Sequence, residues 1–289
     1  MPLVIDNSQL SCFQSCPMKY YLTYVLNLRK RKVDLSEIDK EFGQRVHSCL
    51  DCYYRGEALD YDKLWQGFED LPEEVEVEKT RANGIRLMEE YVKEYQARDK
   101  QSIEVLGVEE IYKYPISEDI IWLVKIDTAI RQNDNVYSLE HKTTKALRYD
   151  YFYQFSPNQQ ITGQVFALNQ EFRQCSGVII DAMEVGFRKR AYKGEPAGFH
   201  CKFQREIINR NKEQIEDFKQ NVIKSVRRLE RTKADGLWEK NEGACHSYRG
   251  CQFKEICLTS IGLKLDEEIK EVLYEVRDNK EYLKGKEGE

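Results

Sequence analysis

Asp127, Glu140 and Lys142 stand at a spacing that suits metal-assisted hydrolysis. Asn133, Asp134 and Asn135 interrupt two runs of strand-forming residues, and a two-residue turn at Asn133 and Asp134 sets Asp127 opposite Glu140. Directly opposed residues of an antiparallel pair hold their Cβ atoms roughly 4.5–5.5 Å apart on one face, so the two acids repel unless a cation lies between them. Lys142, two positions beyond Glu140, projects to that same face. A hard divalent cation there would acidify a bound water and neutralise charge growing on a phosphate, while the lysine orients the nucleophile or stabilises the transition state. The same spacing also admits an ordinary cross-strand ion pair of Glu140 with Lys142, or a slipped register.

Cysteine spacing gives a second candidate site. The chain has 9 cysteines, an odd number, and no basic-then-apolar leader, so a disulfide framework is not expected. Cys245, Cys251 and Cys257 are evenly spaced close behind Trp238, the pattern of a soft-metal site that needs one more ligand. Zinc completed by His246 and free buried thiols are the alternatives. Cys49 and Cys52 read as core or near-core residues.

These groups sit in a chain of 289 residues, 41% hydrophobic and 33% charged, long enough to bury a core without cross-links. That composition excludes collagen-like, mucin-like and wholly disordered chains. No apolar run is long enough for a membrane helix, and the expected location is the cytoplasm. With a net charge of -5, nucleic-acid affinity would have to rest on local patches such as Arg29, Lys30, Arg31 and Lys32, or Arg188, Lys189, Arg190 and Lys193. A solvated charged face explains such runs equally well. A G-x-x-x-x-G-K-[ST] phosphate loop does not occur, so unwinding would need a partner.

Periodicity supplies the elements that must hold the site. Ser8 is the expected cap of a first short helix, and Pro17 opens a second that carries Tyr20, Tyr21 and Tyr24. Ser36 can cap a helix with Ile38, Phe42, Val46 and Cys49 on one stripe and His47 beside it. Another helix spans about 80–95, with Ile85, Met88 and Val92 on one face. Strands are expected over 103–114, 120–130, 136–142 and 177–187, with a further one at 199–203, and a helix over 158–169 crosses between two of them. Residues 205–233 read as a long charged helix with Ile207, Ile215, Phe218, Val222 and Val226 along one side, and the tail from 265 as a charged helix. The fold class is therefore α/β, a mixed central β-sheet flanked by helices. Its parts are an N-terminal helical segment carrying Cys16 and His47 (1–100), a core (101–204), a long helix with the cysteine cluster (205–263) and a charged tail (264–289).

Four motifs occur in order: Gly43-Gln44-Arg45-Val46-His47, Lys125-Ile126-Asp127, Ser138-Leu139-Glu140-His141-Lys142-Thr143, and Gln160-Ile161-Thr162-Gly163-Gln164. In that order and at those distances the chain resembles the RecB-like branch of the PD-(D/E)XK nuclease superfamily over about residues 8–260, which implies a restriction-endonuclease-like core. By that resemblance His47, Asp127 and Glu140 ligate the metal together with the backbone carbonyl of His141, and Lys142 is the catalytic lysine. Gln160 matches the glutamine of the family's Q-x-x-x-Y motif, which helps hold DNA and the lysine region. Gln164 stands at the tyrosine position of that motif, and Val124 where glycine often precedes the aspartate. A mixed histidine and carboxylate site suits Mn2+ at least as well as Mg2+.

Ser15-Cys16-Pro17-Met18-Lys19-Tyr20-Tyr21 likewise resembles the early cysteine motif of iron–sulfur members of that branch, among them AddB-type, CRISPR-associated and viral RecB-like exonucleases. The implied group is a structural 4Fe-4S cluster on Cys16, Cys245, Cys251 and Cys257. The implied activity is a metal-dependent exonuclease on single-stranded DNA ends, acting in DNA repair, recombination, viral replication or CRISPR adaptation. DNA is its partner, with a helicase or a recombination or adaptation protein as further partners and self-association possible. Tyr20, Tyr24, Tyr151, Phe152 and Tyr153 are candidates for stacking on bases. The alternative is a catalytically silent DNA-binding or assembly subunit on the same fold.

Overall fold

The structure is a computed structural model and describes residues 2–31, 35–72, 78–191, 193–194, 196–246, 250–260 and 262–277, with side chains of the helix that begins at Leu35 described from Ile38 on. Lys32 and the cap expected of the Ser36 side chain lie outside the described residues, as does the tail beyond 277. In chain order the first elements are β1 (Leu3–Asp6), α1 (Asn7–Ser15), α2 (Pro17–Tyr20), a π-helical turn (Tyr21–Val25) and β2 (Leu28–Lys30). Then come α3 (Leu35–Arg55), α4 (Tyr61–Leu64), α5 (Arg81–Ser102), β3 (Glu104–Ser117), β4 (Ile120–Gln132) and β5 (Asn135–Thr144). After a 3-10 turn (Tyr151–Phe155) follow α6 (Gln159–Phe172), β6 (Gly177–Arg188), β7 (Gly198–Ile208) and α7 (Lys212–Asp235). A second 3-10 turn (Glu242–His246), α8 (Lys254–Thr259), α9 (Glu267–Leu273) and β8 (Tyr274–Val276) complete the described chain.

Two compact units share these elements, and each is assembled from separated stretches. One holds Met1–Glu37, Lys113–Leu123 and Glu216–Glu289; the other holds Ile38–Tyr112 and Val124–Ile215. The 1–100 stretch read as one N-terminal segment thus contributes to both.

In the first unit β1 runs parallel to the start of β4, with Leu3 beside Ile120 and Asp6 beside Leu123. Asp6, rather than Ser8, caps α1: its carboxylate accepts the Gln9 N–H at 2.8 Å, because the strand ends one residue before the helix begins. Pro17 opens α2 as expected. Trp238 packs against the rings of Tyr20 and Tyr21 at 6.0 and 5.1 Å. Phe218, Val222, Val226 and Leu229 form the buried stripe of α7, and Trp122 meets Phe218 edge-on at 5.1 Å. The tail read as helix turns extended at Tyr274, where β8 pairs antiparallel with β2.

The second unit carries the mixed sheet. β4 and β5 are antiparallel, β5 and β6 parallel, and β6 and β7 antiparallel, with β3 pairing β4. Helices α3 and α5 pack Phe42, Val46, Leu50, Leu87, Met88 and Tyr91 over Leu139, Ile179 and Met183 on one face. Ile161 and Val165 of α6 pack with Val178, Ile180 and Ala182 on the other. Such cover on both faces explains why β6 is apolar almost throughout. The inner face of α5 is displaced from the expected stripe: Leu87, Met88, Tyr91 and Tyr95 are buried, and Ile85 and Val92 only half-buried.

The stretch from Arg205 to Ile208 is strand, not the start of the long helix. An unbroken ladder with β6, from Arg188–Gly198 to Val178–Ile208, outweighs the local helix preference of those residues. Ile207, expected on the helix stripe, is exposed on β7. Among the described residues no helix is long and apolar enough to cross a membrane.

Candidate active site

The hairpin between β4 and β5 turns on Asn133 and Asp134, whose φ values of 49° and 63° are the left-handed conformations a type I′ turn requires and these residue types tolerate. Its ladder runs from Gln132–Asn135 to Thr128–Leu139, the register read from the sequence. One step further along, the Asp127 carboxylate accepts the backbone N–H of His141 at 3.0 Å. Strand alternation then sorts β5. Glu140 reaches side chains of α6 on one face, and the His141 ring stacks on Tyr54 of α3 at 5.4 Å on the other.

Glu140 is 2% exposed and fully engaged. Lys142 Nζ donates to its Oε1, as does Gln160 Nε2 at 2.8 Å, and Gln164 Nε2 donates to Oε2. Burial alone would raise the Glu140 carboxyl, but Lys142 and the Gln164 amide outweigh it and hold it below its ordinary value. Burial also opposes the charge of Lys142, and Glu140 and Asp127 reverse that and raise it. The ion pair allowed by the sequence therefore exists, inside the site instead of on a solvated face. Gln164, at the motif's tyrosine position, is wholly buried and accepts the Ser138 hydroxyl at 3.1 Å while donating to Glu140.

A second group gathers beside it. One ligand atom each from His47, Asp127 and Glu109 lie within 4.8 Å of one another, and His47 Nδ1 is 3.6 Å from Asp127 Oδ2. His47 comes from α3, whose buried Ile38, Phe42, Val46 and Cys49 set that helix on the sheet as expected. Glu109 was not anticipated: it reaches the group from the middle of β3 with φ 62°, and such a left-handed residue inside a strand leaves no mark in an alternating pattern. Lys125, two residues before Asp127, forms an ion pair with Glu109. An imidazole nitrogen with two carboxylates is a donor set that fits Mn2+ or Mg2+.

Burial, followed by His141, lowers the His47 imidazole to about 4, so it is neutral and able to ligate at pH 7. Burial, followed by the like charge of Glu140, pushes Asp127 up to about 7. A cation must displace the proton from Asp127, so Mn2+ affinity of the protein should rise with pH by up to about tenfold per unit below pH 7 and level off above it. Titrations between pH 5.5 and 8.5 check this, and Asp127→Asn should flatten the profile.

The cysteine candidates all belong to the first unit. Asn241 donates its backbone N–H to Cys16 Sγ at 3.4 Å, bringing the start of the chain to the segment after α7. Burial raises the Cys257 thiol, and Cys16, Cys245 and Cys251 are near enough to add to that rise. Cys251 is likewise raised by burial, with Cys245 and Cys16 contributing. Among the described residues no three of these thiols come within 4.8 Å of one another, so the structure brings them into one neighbourhood without assembling a metal-binding group.

Several expected DNA contacts fall away. Tyr20 and Phe152 are each only 4% exposed and belong to the core, and Tyr151 is half-buried against Phe152 and Phe155. Tyr153 is 68% exposed, and Tyr149, missed in the sequence because it belongs to no periodic run, is 90% exposed. In the first basic run Lys30 pairs with Glu255 and Arg31 with Glu275. Lys189 and Arg190 of the second are exposed.

A family model described as the PD-(D/E)XK nuclease superfamily matches residues 7–258. No curated protein matches the chain. Among solved structures, a "Putative exonuclease" from Eubacterium rectale aligns with a TM-score of 0.50 at 11% identity, covering 93% of this chain and 92% of that one, a likeness of fold. The protein SSO0001 aligns with a TM-score of 0.28 at 12% identity over 72% of this chain and 84% of that one. An alkaline exonuclease (LHK-Exo) from Laribacter hongkongensis does so with a TM-score of 0.28 at 11% identity, over 68% and 97% respectively.

Proposed function

Because the chain belongs to the PD-(D/E)XK nuclease superfamily, we propose that it is a metal-dependent deoxyribonuclease of the RecB-like type, an exonuclease on single-stranded DNA ends with a structural 4Fe-4S cluster. The observation that carries this reading is the meeting of Asp127, Glu140 and Lys142 beside His47 in one partly buried site. A catalytically silent subunit has no chemical need for that combination.

His47, Asp127 and Glu109, whose donor atoms lie together, would hold the divalent ion, with Glu140 and the carbonyl of His141 as the further ligands that the family resemblance implies; the ion would supply Lewis acidity at the phosphate and an acidified water. The His141 N–H keeps the Asp127 carboxylate in place. Gln160 and Gln164 keep Glu140 ionised in spite of its burial. Lys142 keeps a positive charge next to the position of the scissile phosphate, where it orients the attacking water or offsets charge in the transition state. Glu109→Gln is expected to weaken Mn2+ binding about tenfold. Calorimetric titration without DNA reads this, and an unchanged affinity removes Glu109 from the site.

Support for single-stranded ends comes from Tyr149 and Tyr153, which stand exposed between the strand of Lys142 and α6. Unpaired bases stack on such rings for about 1–3 kcal/mol each. Replacing both by alanine should raise KM for a single-stranded oligonucleotide about tenfold or more and leave kcat within about twofold. An unchanged KM excludes them as the stacking platform.

The test of the whole reading is incubation of the purified protein with end-labelled single- and double-stranded DNA in Mn2+, Mg2+ or chelator. Metal-dependent release of nucleotides from single-stranded ends is expected. DNA binding without cleavage in any metal would establish the silent subunit instead. Helicase, recombination and adaptation proteins are the proposed partners, since the sequence has no phosphate loop of its own.

A further inference from the structure

On the face of the sheet opposite to Glu140, His141, Asp181 and Arg205 form a row across three strands. Register makes them direct neighbours: His141 is opposite Asp181 in β5 and β6, and Asp181 is opposite Arg205 in β6 and β7. His141 Nδ1 lies 3.0 Å from Asp181 Oδ2, and Arg205 Nε donates to Oδ1 at 3.1 Å. The Tyr91 hydroxyl donates to Oδ2 as well. Arg205 then forks onto Asp99 of α5, with Nη1 at 2.7 Å and Nη2 at 3.0 Å from its two oxygens. Its Nη2 also donates to the hydroxyls of Tyr54 and Tyr91 at 2.9 Å each, and its guanidinium lies 3.7 Å from the centre of the Tyr95 ring. The His141 and Asp181 side chains are wholly buried.

Two carboxylates and a guanidinium largely withdrawn from water lose much of their hydration, and apolar side chains of the same volume would fill the space without that penalty. Stability alone therefore does not account for the row. Its member on β5, His141, does: the residue whose ring Asp181 holds is the one whose N–H holds the Asp127 carboxylate, and its chain neighbours are Glu140 and Lys142. We propose that Asp181 and Arg205 are positioning residues that lock β5 at His141, so that Asp127, Glu140 and Lys142 keep the geometry the reaction needs. The inference rests on the nuclease reading of the site. A displacement of about 1 Å in such a group costs on the order of a hundredfold in rate.

Asp181→Asn keeps the shape of the side chain and leaves Arg205 paired with Asp99. It is expected to lower kcat on a labelled oligonucleotide about 30-fold with KM within about twofold. Mn2+ affinity, read without DNA from the paramagnetic resonance of the free ion, should fall about tenfold. Tyr91→Phe, which removes one donor to the same carboxylate and leaves no cavity, should shift both readouts in the same direction by a smaller factor. Normal kcat and normal Mn2+ affinity in Asp181→Asn, with only a lower Tm, would overturn the proposal and make the row structural. If Asp181→Asn does not fold, Tyr91→Phe decides by the same two readouts. Absence of cleavage by the unaltered protein defeats the nuclease reading, and Mn2+ affinity alone then decides the positioning role.

Discussion

Replacing Lys142 by alanine is expected to lower the single-turnover rate of DNA cleavage roughly a thousandfold, as removal of one transition-state donor from a buried site does. The fold should survive, because Glu140 retains the Gln160 and Gln164 amides when the ammonium is gone. DNA affinity should change little, since a single phosphate contact is a small share of binding. Lys142→Arg should be nearly as inactive: a planar fork cannot occupy the place of a compact ammonium held on one carboxylate oxygen. Cleavage rates, a melting curve and a binding titration on the same preparations check this, and undiminished cleavage in the alanine variant would remove Lys142 from the chemistry.

Replacing Cys16 by serine should have the largest effect on stability. The proposed cluster closes the roughly 230 residues between Cys16 and Cys245 into a loop. A cross-link across that length stabilises by on the order of 5 kcal/mol through loop entropy alone. For a chain of this size, that is about 10–20 °C in Tm. Purified anaerobically, the unaltered protein should be brown and contain iron and acid-labile sulfide. The serine variant should be colourless and melt early, with its loss centred on the unit that holds α1, α2, α7 and α8. Zinc without iron would replace the cluster by a zinc site, and neither metal would leave the thiols unligated.

The two experiments separate two kinds of residue. In the proposed reaction Lys142 acts where charge changes, so its loss acts on rate. In the proposed cluster Cys16 ties distant segments of the chain, so its loss acts on Tm. A protein that loses its cluster yet retains an intact second unit should still bind Mn2+ through His47 and Asp127, which both belong to that unit. The Mn2+ titration proposed above therefore also reports on the integrity of the second unit by itself.

What could be read from the chain alone was local. The register of β4 with β5 follows from two turn residues that accept left-handed backbone, and from it the approach of Asp127 to Glu140. The position of Lys142 follows from strand alternation, and the buried stripe beside His47 from helical spacing. Each of these depends on neighbours within about a dozen residues, the range over which periodicity and turn chemistry act. Tertiary structure decided the rest, because it depends on which distant strands are adjacent. The strand expected at 199–203 continues through Arg205 to Ile208 because β6 offers it a ladder, which local sequence, favouring a helix from Arg205, does not show. Glu109 enters the site through one left-handed residue, Gln164 donates to Glu140 because α6 lies against that face of the sheet, and His141, Asp181 and Arg205, far apart in the chain, become one row where β5, β6 and β7 are aligned. Contacts of that kind are made by burial and long-range pairing, and a single sequence carries no local trace of them.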